Sequence, residues 1–241
     1  MRRSTFVAAA ILLLLRSVPV LSQADELWQR AVAFMALQPR LGPQQVVSRF
    51  ELLKSDGTVD HSREVHLRVT YDDSGNAQTE ITKVLEDGQD VTAQAKERQA
   101  RSQGSGKGRS SNLQFGLGPF DPEAQQRVRV QSLGQTKVIG GRTCVGYHFE
   151  EDQGEKGKTR GEAWLDAATA APTCVVVEPD PLPKRVKEMR TTLLYGQDPN
   201  GHWVTREMIV EGKASFLLMK KGFRNVMQFA EFRELPPAAK R

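Results

Sequence analysis

The sequence has few of the residues from which enzyme and metal sites are most often built. Its 241 residues include four histidines and two cysteines, and none of them stands in the spacing of a zinc site or a metalloprotease helix. No Gly-x-Ser-x-Gly elbow occurs, and the glycines near Gly104 do not complete a phosphate-binding loop. The chain has three tryptophans and no aromatic-rich segment typical of a carbohydrate cleft. We therefore expect no enzyme activity, no metal and no cofactor.

Long apolar runs are missing after the first 24 residues, so no later segment predicts a membrane span. The first 24 residues have the pattern of a secretory leader, with Arg2 and Arg3, an apolar core and a small residue, Ala24, at the cleavage position. We expect a cleaved leader and a mature periplasmic protein that begins at Asp25. The alternative is an uncleaved membrane anchor.

A strong excess of one charge is also missing. The net charge of +5 falls to +2 when the three arginines of the leader are removed, which gives little support for a nucleic-acid partner. Basic residues concentrate in the segment Lys96–Arg109, within a polar insert at about residues 90–111. Such runs are usually solvated surface, and the alternative is contact with an anionic membrane surface or an acidic partner.

The periodicity of the mature chain indicates a mainly antiparallel β protein. Residues 24–38 have helical spacing, and a polar helix is predicted from Thr92 to about Gln103. Elsewhere short alternating strands follow one another between Gly, Asp, Asn and Pro turns, and DPNG at residues 198–201 predicts a hairpin. We expect one domain over residues 25–235 and a short tail at 236–241.

The two cysteines, Cys144 and Cys174, allow two interpretations. A lone pair in an oxidising compartment usually forms a disulfide. In a simple meander, however, their strands flank the GEAWLD strand and lie about 9 to 10 Å apart, twice the spacing of neighbouring strands, which is too far to bridge. We predict the disulfide, with free thiols as the alternative.

Residues 161–178, GEAWLDAATAAPTCVVVE, resemble a pattern of the LolA/LolB/RseB superfamily of periplasmic lipoprotein carriers and lipid-binding domains. The pattern is a glycine, a strand with Trp and Asp, a proline turn and a second strand. Residues 191–213 resemble the next two strands of the superfamily, and the rest of residues 25–235 fits more loosely. The resemblance implies a curved half-barrel sheet wrapped around one apolar face and capped by a few helices.

The resemblance also implies a function. We predict a non-enzymatic carrier that binds a lipid or a lipoprotein acyl chain and contributes to outer-membrane lipoprotein sorting or envelope biogenesis. The alternatives are an envelope-stress or scaffolding module that binds a protein, and a small periplasmic hydrolase. In the later strands, apolar residues point to both faces of the sheet. This is expected where both faces are covered or where one of them lines an apolar groove. Strand parity selects the candidate lining residues: Trp164, Leu193, Tyr195, Met208, Val210, Phe216, Leu218, Met227 and Phe229.

Overall fold

The computed structural model describes residues 23–104, 118–216 and 219–236. Within them lie two α-helices, α1 (Gln23–Ala36) and α2 (Thr92–Gly104), and 3₁₀-helices at Gly118–Phe120, Pro122–Arg127 and Gly154–Lys156. The strands are β1 (Leu41–Leu53), β2 (Val59–Tyr71), β3 (Ala77–Glu86), β4 (Gln89–Asp90), β5 (Val128–Ile139), β6 (Arg142–Asp152), β7 (Lys158–Asp166), β8 (Pro172–Asp180), β9 (Val186–Gln197), β10 (Trp203–Phe216) and β11 (Met219–Glu234).

These strands form one antiparallel sheet in the order β4-β3-β2-β1-β11-β10-β9-β8-β7-β6-β5. The first and last long strands therefore meet in the middle of the sheet, and the edges are β4 and β5. The sheet is curved and does not close into a barrel. The predicted fold class, a mainly antiparallel half-barrel with a few helices, is confirmed.

Turn chemistry explains where the hairpins reverse. In the β9–β10 turn, the Asp198 carboxylate accepts hydrogen bonds from the backbone N–H groups of Asn200 and His202. Gly201 follows with φ of 85°, a left-handed conformation that favours glycine. These contacts are those of an Asx turn, and they confirm the hairpin predicted from DPNG.

Helix α1 builds the main core on one side of the sheet. Its Trp28 ring lies 4.9 Å from Phe120, 5.7 Å from Tyr147 and 6.2 Å from Phe149, measured between ring centroids. The Trp28 Nε1–H donates to Gln125 Oε1 at 3.0 Å. This bond satisfies the only hydrogen-bond donor of the indole side chain. We call the side of the sheet that faces α1 the inner face, and the opposite side the outer face.

Helix α2 is the polar helix predicted in the insert. It packs against β3, where Ala95 and Val84 are buried, and the Thr92 hydroxyl accepts a hydrogen bond from the Val84 N–H. The remainder of the insert, with Lys107 and Arg109, lies outside the described residues, as does the predicted leader up to Ser22. No helix in the described part of the chain is both long and apolar enough to cross a membrane.

The predicted disulfide is wrong. Cys144 on β6 and Cys174 on β8 are both buried and both free. Strand β7 lies between them, with Asp166 opposite Cys144 and Trp164 opposite Cys174. The meander geometry therefore keeps the thiols apart, and the Cys144 Sγ lies 3.1 Å from the Thr173 hydroxyl.

Candidate functional site

One row of side chains crosses the inner face from β3 to β5. Each member lies directly opposite the next in the strand register, so all of them point to the same side. In order, the row consists of Val84, Val65, Ser48, Met227, Met208, Leu193, Val175, Ala163, Tyr147 and Ser132. Eight of these ten residues are apolar or aromatic. We call this set the inner row.

Burial divides the inner row. Under α1 and its neighbouring 3₁₀-helices, Val175, Ala163 and Tyr147 are at most 1% exposed. On β9 to β11, the row continues through Leu193, Met208 and Met227, which are only half-buried. We call β5 to β8 the covered half of the sheet, and β9, β10, β11, β1 and β2 the open half. Part of the open half is also buried, because Val46, Val69 and Phe229 form a second core on its inner face. The open half is an apolar surface of the kind that binds an apolar ligand.

A parallel line of inner-face residues widens this surface. Phe50, Asn225, Val210 and Thr191 lie opposite one another across β1, β11, β10 and β9. Phe50 is 38% exposed, and the other three are half-buried. The Ser48 hydroxyl donates to Asn225 Oδ1 at 2.9 Å, which satisfies one polar pair within this surface.

The structure brings six of the nine predicted lining residues onto the inner face. Leu193, Met208 and Met227 belong to the inner row, and Val210 lies in the line beside it. Leu193 and Tyr195 pack at the edge of the core below α1, and Met208 and Met227 pack against a second core that contains Phe229, which is 2% exposed. The ligand-binding role of all six stays a prediction.

The other three predicted residues fall elsewhere. Trp164 lies on the outer face, where it packs with Cys144 and Cys174 and its ring is 3.5 Å from the Lys137 Nζ. Apolar residues occupy both parities of β7 at this point, Ala163 and Leu165 being inner and Trp164 outer, so alternation could not assign the face. The side chain of Phe216 and all of Leu218 lie outside the described residues.

Sequence reasoning missed the contribution of the first strands. Ser48 and Phe50 on β1 and Val65 on β2 join the open surface because β1 pairs with β11. The period of two in these strands was visible in the sequence. Their pairing with a strand about 180 residues later was not.

A cleft adjoins the open half where β8 and β9 separate. The two strands pair only between Cys174–Val177 and Thr191–Leu194, and beyond these residues the sheet forks. The fork, β10, β11 and the tip of the β1–β2 hairpin line a cleft of about 940 Å³ that is open to solvent. We call it the fork cleft.

Ion pairs line the fork cleft. The Arg190 guanidinium contacts the Glu178 carboxylate at 3.1 Å across the fork. Lys221 contacts Asp60 at 2.6 Å, and this hydrogen bond and the lysine charge lower the pKa of Asp60. Within the described residues, no group of three or more His, Cys, Asp or Glu side chains could hold a metal ion.

Comparisons with known proteins return similarity of structure alone. No family model matches the sequence, and no curated protein matches it. A LolA superfamily protein from Nitrosomonas europaea is 12% identical with a TM-score of 0.40, and the match covers 89% of this chain and 94% of that one. A DUF1329 family protein from Desulfovibrio piger is 10% identical with a TM-score of 0.36, over 88% and 92% of the two chains.

A third similar structure is the MucA/MucB complex of Pseudomonas aeruginosa. It is 10% identical with a TM-score of 0.26, and the match covers 90% of this chain and 100% of that one.

Proposed function

We propose that this protein binds an acyl chain of a lipid or lipoprotein on the open half of its inner face and carries it without covalent chemistry. The observation that carries the proposal is the division of the inner row. The same line of apolar side chains is core under α1 and remains half-buried on β9 to β11. An acyl chain laid along the row would remove the exposed part from water.

The energetics suit a reversible carrier. Each methylene that leaves water contributes about 0.8 kcal/mol, and part of this is offset by the ordering of the chain. Met208 and Met227 are flexible and polarisable, which lets the surface adapt to chains of different shape. Release then requires a competing acceptor or a conformational change. The predicted leader supports a periplasmic location for this activity.

A charge placed on the open half tests the proposal. In Met208→Glu the bound chain would bury a carboxylate with no partner, so we expect at least about tenfold weaker binding of a fluorescent fatty acid. The matched control is Ile209→Glu, which puts the same charge on the next residue of β10, on the outer face opposite Val226 and Thr192.

Thermal unfolding of both variants separates binding from folding. Both positions are half-buried, but Met208 also packs against the second core, so we expect Met208→Glu to lower the melting temperature more than Ile209→Glu does. Binding is therefore compared at a temperature at which both variants remain folded. Equal loss of fatty-acid binding in the two variants, or no binding by the unmodified protein, would contradict the proposal. If the unmodified protein binds no fatty acid but captures a protein partner, the result would instead support the scaffolding alternative.

A further inference from the structure

The fork cleft combines an apolar floor with charged walls. Its lining includes the inner-face residues Met189 and Phe223, together with Leu53 and Leu182. On β11, Phe223 is two residues from Asn225, so it follows Asn225 on the same face of the strand. The apolar surface of the open half therefore runs directly into the cleft.

Most of the charges in the cleft are already neutralised. Six basic side chains line it, and four of them contact acids: Arg160 with Glu150 and Asp180, Arg190 with Glu178, Lys213 with Glu188, and Lys221 with Asp60. The remaining acid in the lining, Glu211, lies between Arg190 and Arg224 in the strand register.

Two lysines are left over. Lys54, at the tip of the β1–β2 hairpin, and Lys187, at the start of β9, line the cleft and are exposed. In the described part of the chain, no carboxylate oxygen lies within 4 Å of either lysine Nζ. The lining itself holds six basic and four acidic side chains. Lys54 and Lys187 are the two bases that no acid contacts, so their ammonium groups can meet the anionic group of an amphiphile beside the apolar residues of the cleft.

We propose that the fork cleft binds the phosphate of an anionic headgroup, through Lys54 and Lys187, while the attached acyl chain lies on the open half. This inference rests on the proposed function and adds to it an orientation and a ligand class. The headgroup lies at the end of the sheet that carries the β1–β2 and β8–β9 turns, and the chain extends toward the inner row.

Short-chain phospholipids test the proposal, because they bind as monomers. Dihexanoyl phosphatidylglycerol and dihexanoyl phosphatidylcholine have the same chains and the same phosphate. The choline lipid adds a trimethylammonium group, whose positive charge would lie beside Lys54 and Lys187 and oppose their contact with its phosphate. By calorimetry at low salt, we expect the glycerol lipid to bind about tenfold more tightly. The double variant Lys54→Gln/Lys187→Gln should weaken its binding by about tenfold, since each lysine near an anionic lipid contributes roughly fivefold at most. Binding of the choline lipid should not change.

The matched control is Lys83→Gln/Arg129→Gln. It removes the same two charges at exposed positions outside the cleft that form no ion pair in the described residues. This variant should bind both lipids as the unmodified protein does. Equal affinity for the two lipids, or equal losses in the two double variants, would overturn the inference and leave the proposed function intact.

Inorganic phosphate distinguishes the source of the anion. If the headgroup phosphate is the recognised group, millimolar phosphate should compete with the glycerol lipid and not with the choline lipid, and the competition should disappear in Lys54→Gln/Lys187→Gln. Failure of Met208→Glu to affect either lipid would instead count against the proposed function, so the two failures remain distinguishable.

Discussion

The covered and open halves of the sheet share one pattern of side chains and differ in what lies over it. Val175 and Met208 both belong to the inner row, and Leu193 on β9 lies directly opposite each of them. Val175 is fully buried and Met208 is half-buried. Alternation along a strand therefore specifies a face, and the element packed above that face decides whether it becomes core or binding surface.

The two halves also use the same packing device. On the covered half, the Phe149 ring lies over Gly161, and on the open half the Phe223 ring lies over Gly212. In each case a glycine lets an aromatic ring approach the neighbouring strand closely. The Phe149 ring is then sealed by α1, whereas Phe223 lines the fork cleft.

Truncation of these two rings should give the largest contrast. Phe149 is fully buried, so Phe149→Ala should lower the free energy of unfolding by about 3 to 5 kcal/mol. Phe223 is half-buried, and Phe223→Ala should cost about 1 kcal/mol. Urea denaturation of both variants provides the measurement. Similar costs would mean that the open half is packed as a core.

Thiol labelling compares the halves without changing their charge. Cys144 and Cys174 are buried, and burial raises the pKa of Cys174, so both should react slowly in the folded protein. Met208→Cys should react at least about 100-fold faster than Val175→Cys, because reaction needs an accessible thiolate. A chromogenic disulfide reagent measures the rates.

The same reagent counts thiols after denaturation. Without reductant, the unmodified protein should show both native thiols free. A count of zero would mean that Cys144 and Cys174 pair in solution after all.

Local signals in the sequence predicted most of the elements. Helices α1 and α2, the DPNG hairpin and the alternation of β2 each depend on residues close together in the chain, so spacing and turn chemistry identify them. The pairing of β1 with β11 depends on contacts between distant segments. No local pattern encodes this pairing. The residues of the first strands were therefore missing from the predicted site.

Two predictions failed around β7, for different reasons. The face of Trp164 and the pairing of Cys144 with Cys174 both depend on β7, which is apolar at both parities and lies between the cysteine strands. A period of two cannot orient such a strand, because either assignment buries an apolar row. The disulfide was predicted because paired cysteines in an oxidising compartment usually bond. The structure instead agrees with the strand spacing, which keeps the two thiols apart.

The pH dependence of stability should also differ between the halves. In the β7–β8 turn of the covered half, Asp166 is nearly buried. Burial alone would raise its pKa, but hydrogen bonds from Arg142, Thr169 and Ala168 outweigh it and hold the pKa below its usual value. The folded state therefore binds this proton less tightly than the unfolded chain, and the carboxylate stabilises the fold above about pH 4.

Asp166→Asn tests this contribution. It should lower the free energy of unfolding by about 1 to 3 kcal/mol at pH 7, and the difference from the unmodified protein should shrink as the pH falls below 4. On the open half, Asp60 is exposed and paired with Lys221. The effect of Asp60→Asn should disappear in 1 M salt, where surface pairs are screened. A salt-insensitive Asp60 effect would contradict this distinction.

The smallest effect is expected at the boundary between the halves. Arg190 and Glu178 join β9 to β8 at the point where their backbone pairing stops. Both side chains are more than half exposed, so Arg190→Gln should cost less than about 1 kcal/mol of global stability. Its local effect should be larger, because no backbone hydrogen bonds hold the fork.

The matched control is Lys213→Gln, which breaks a similarly exposed pair with Glu188 between two strands that remain paired. Hydrogen exchange at Val177 and Thr191 should speed up in Arg190→Gln and not in Lys213→Gln. Equal exchange in the two variants would show that the fork is held by something other than this ion pair.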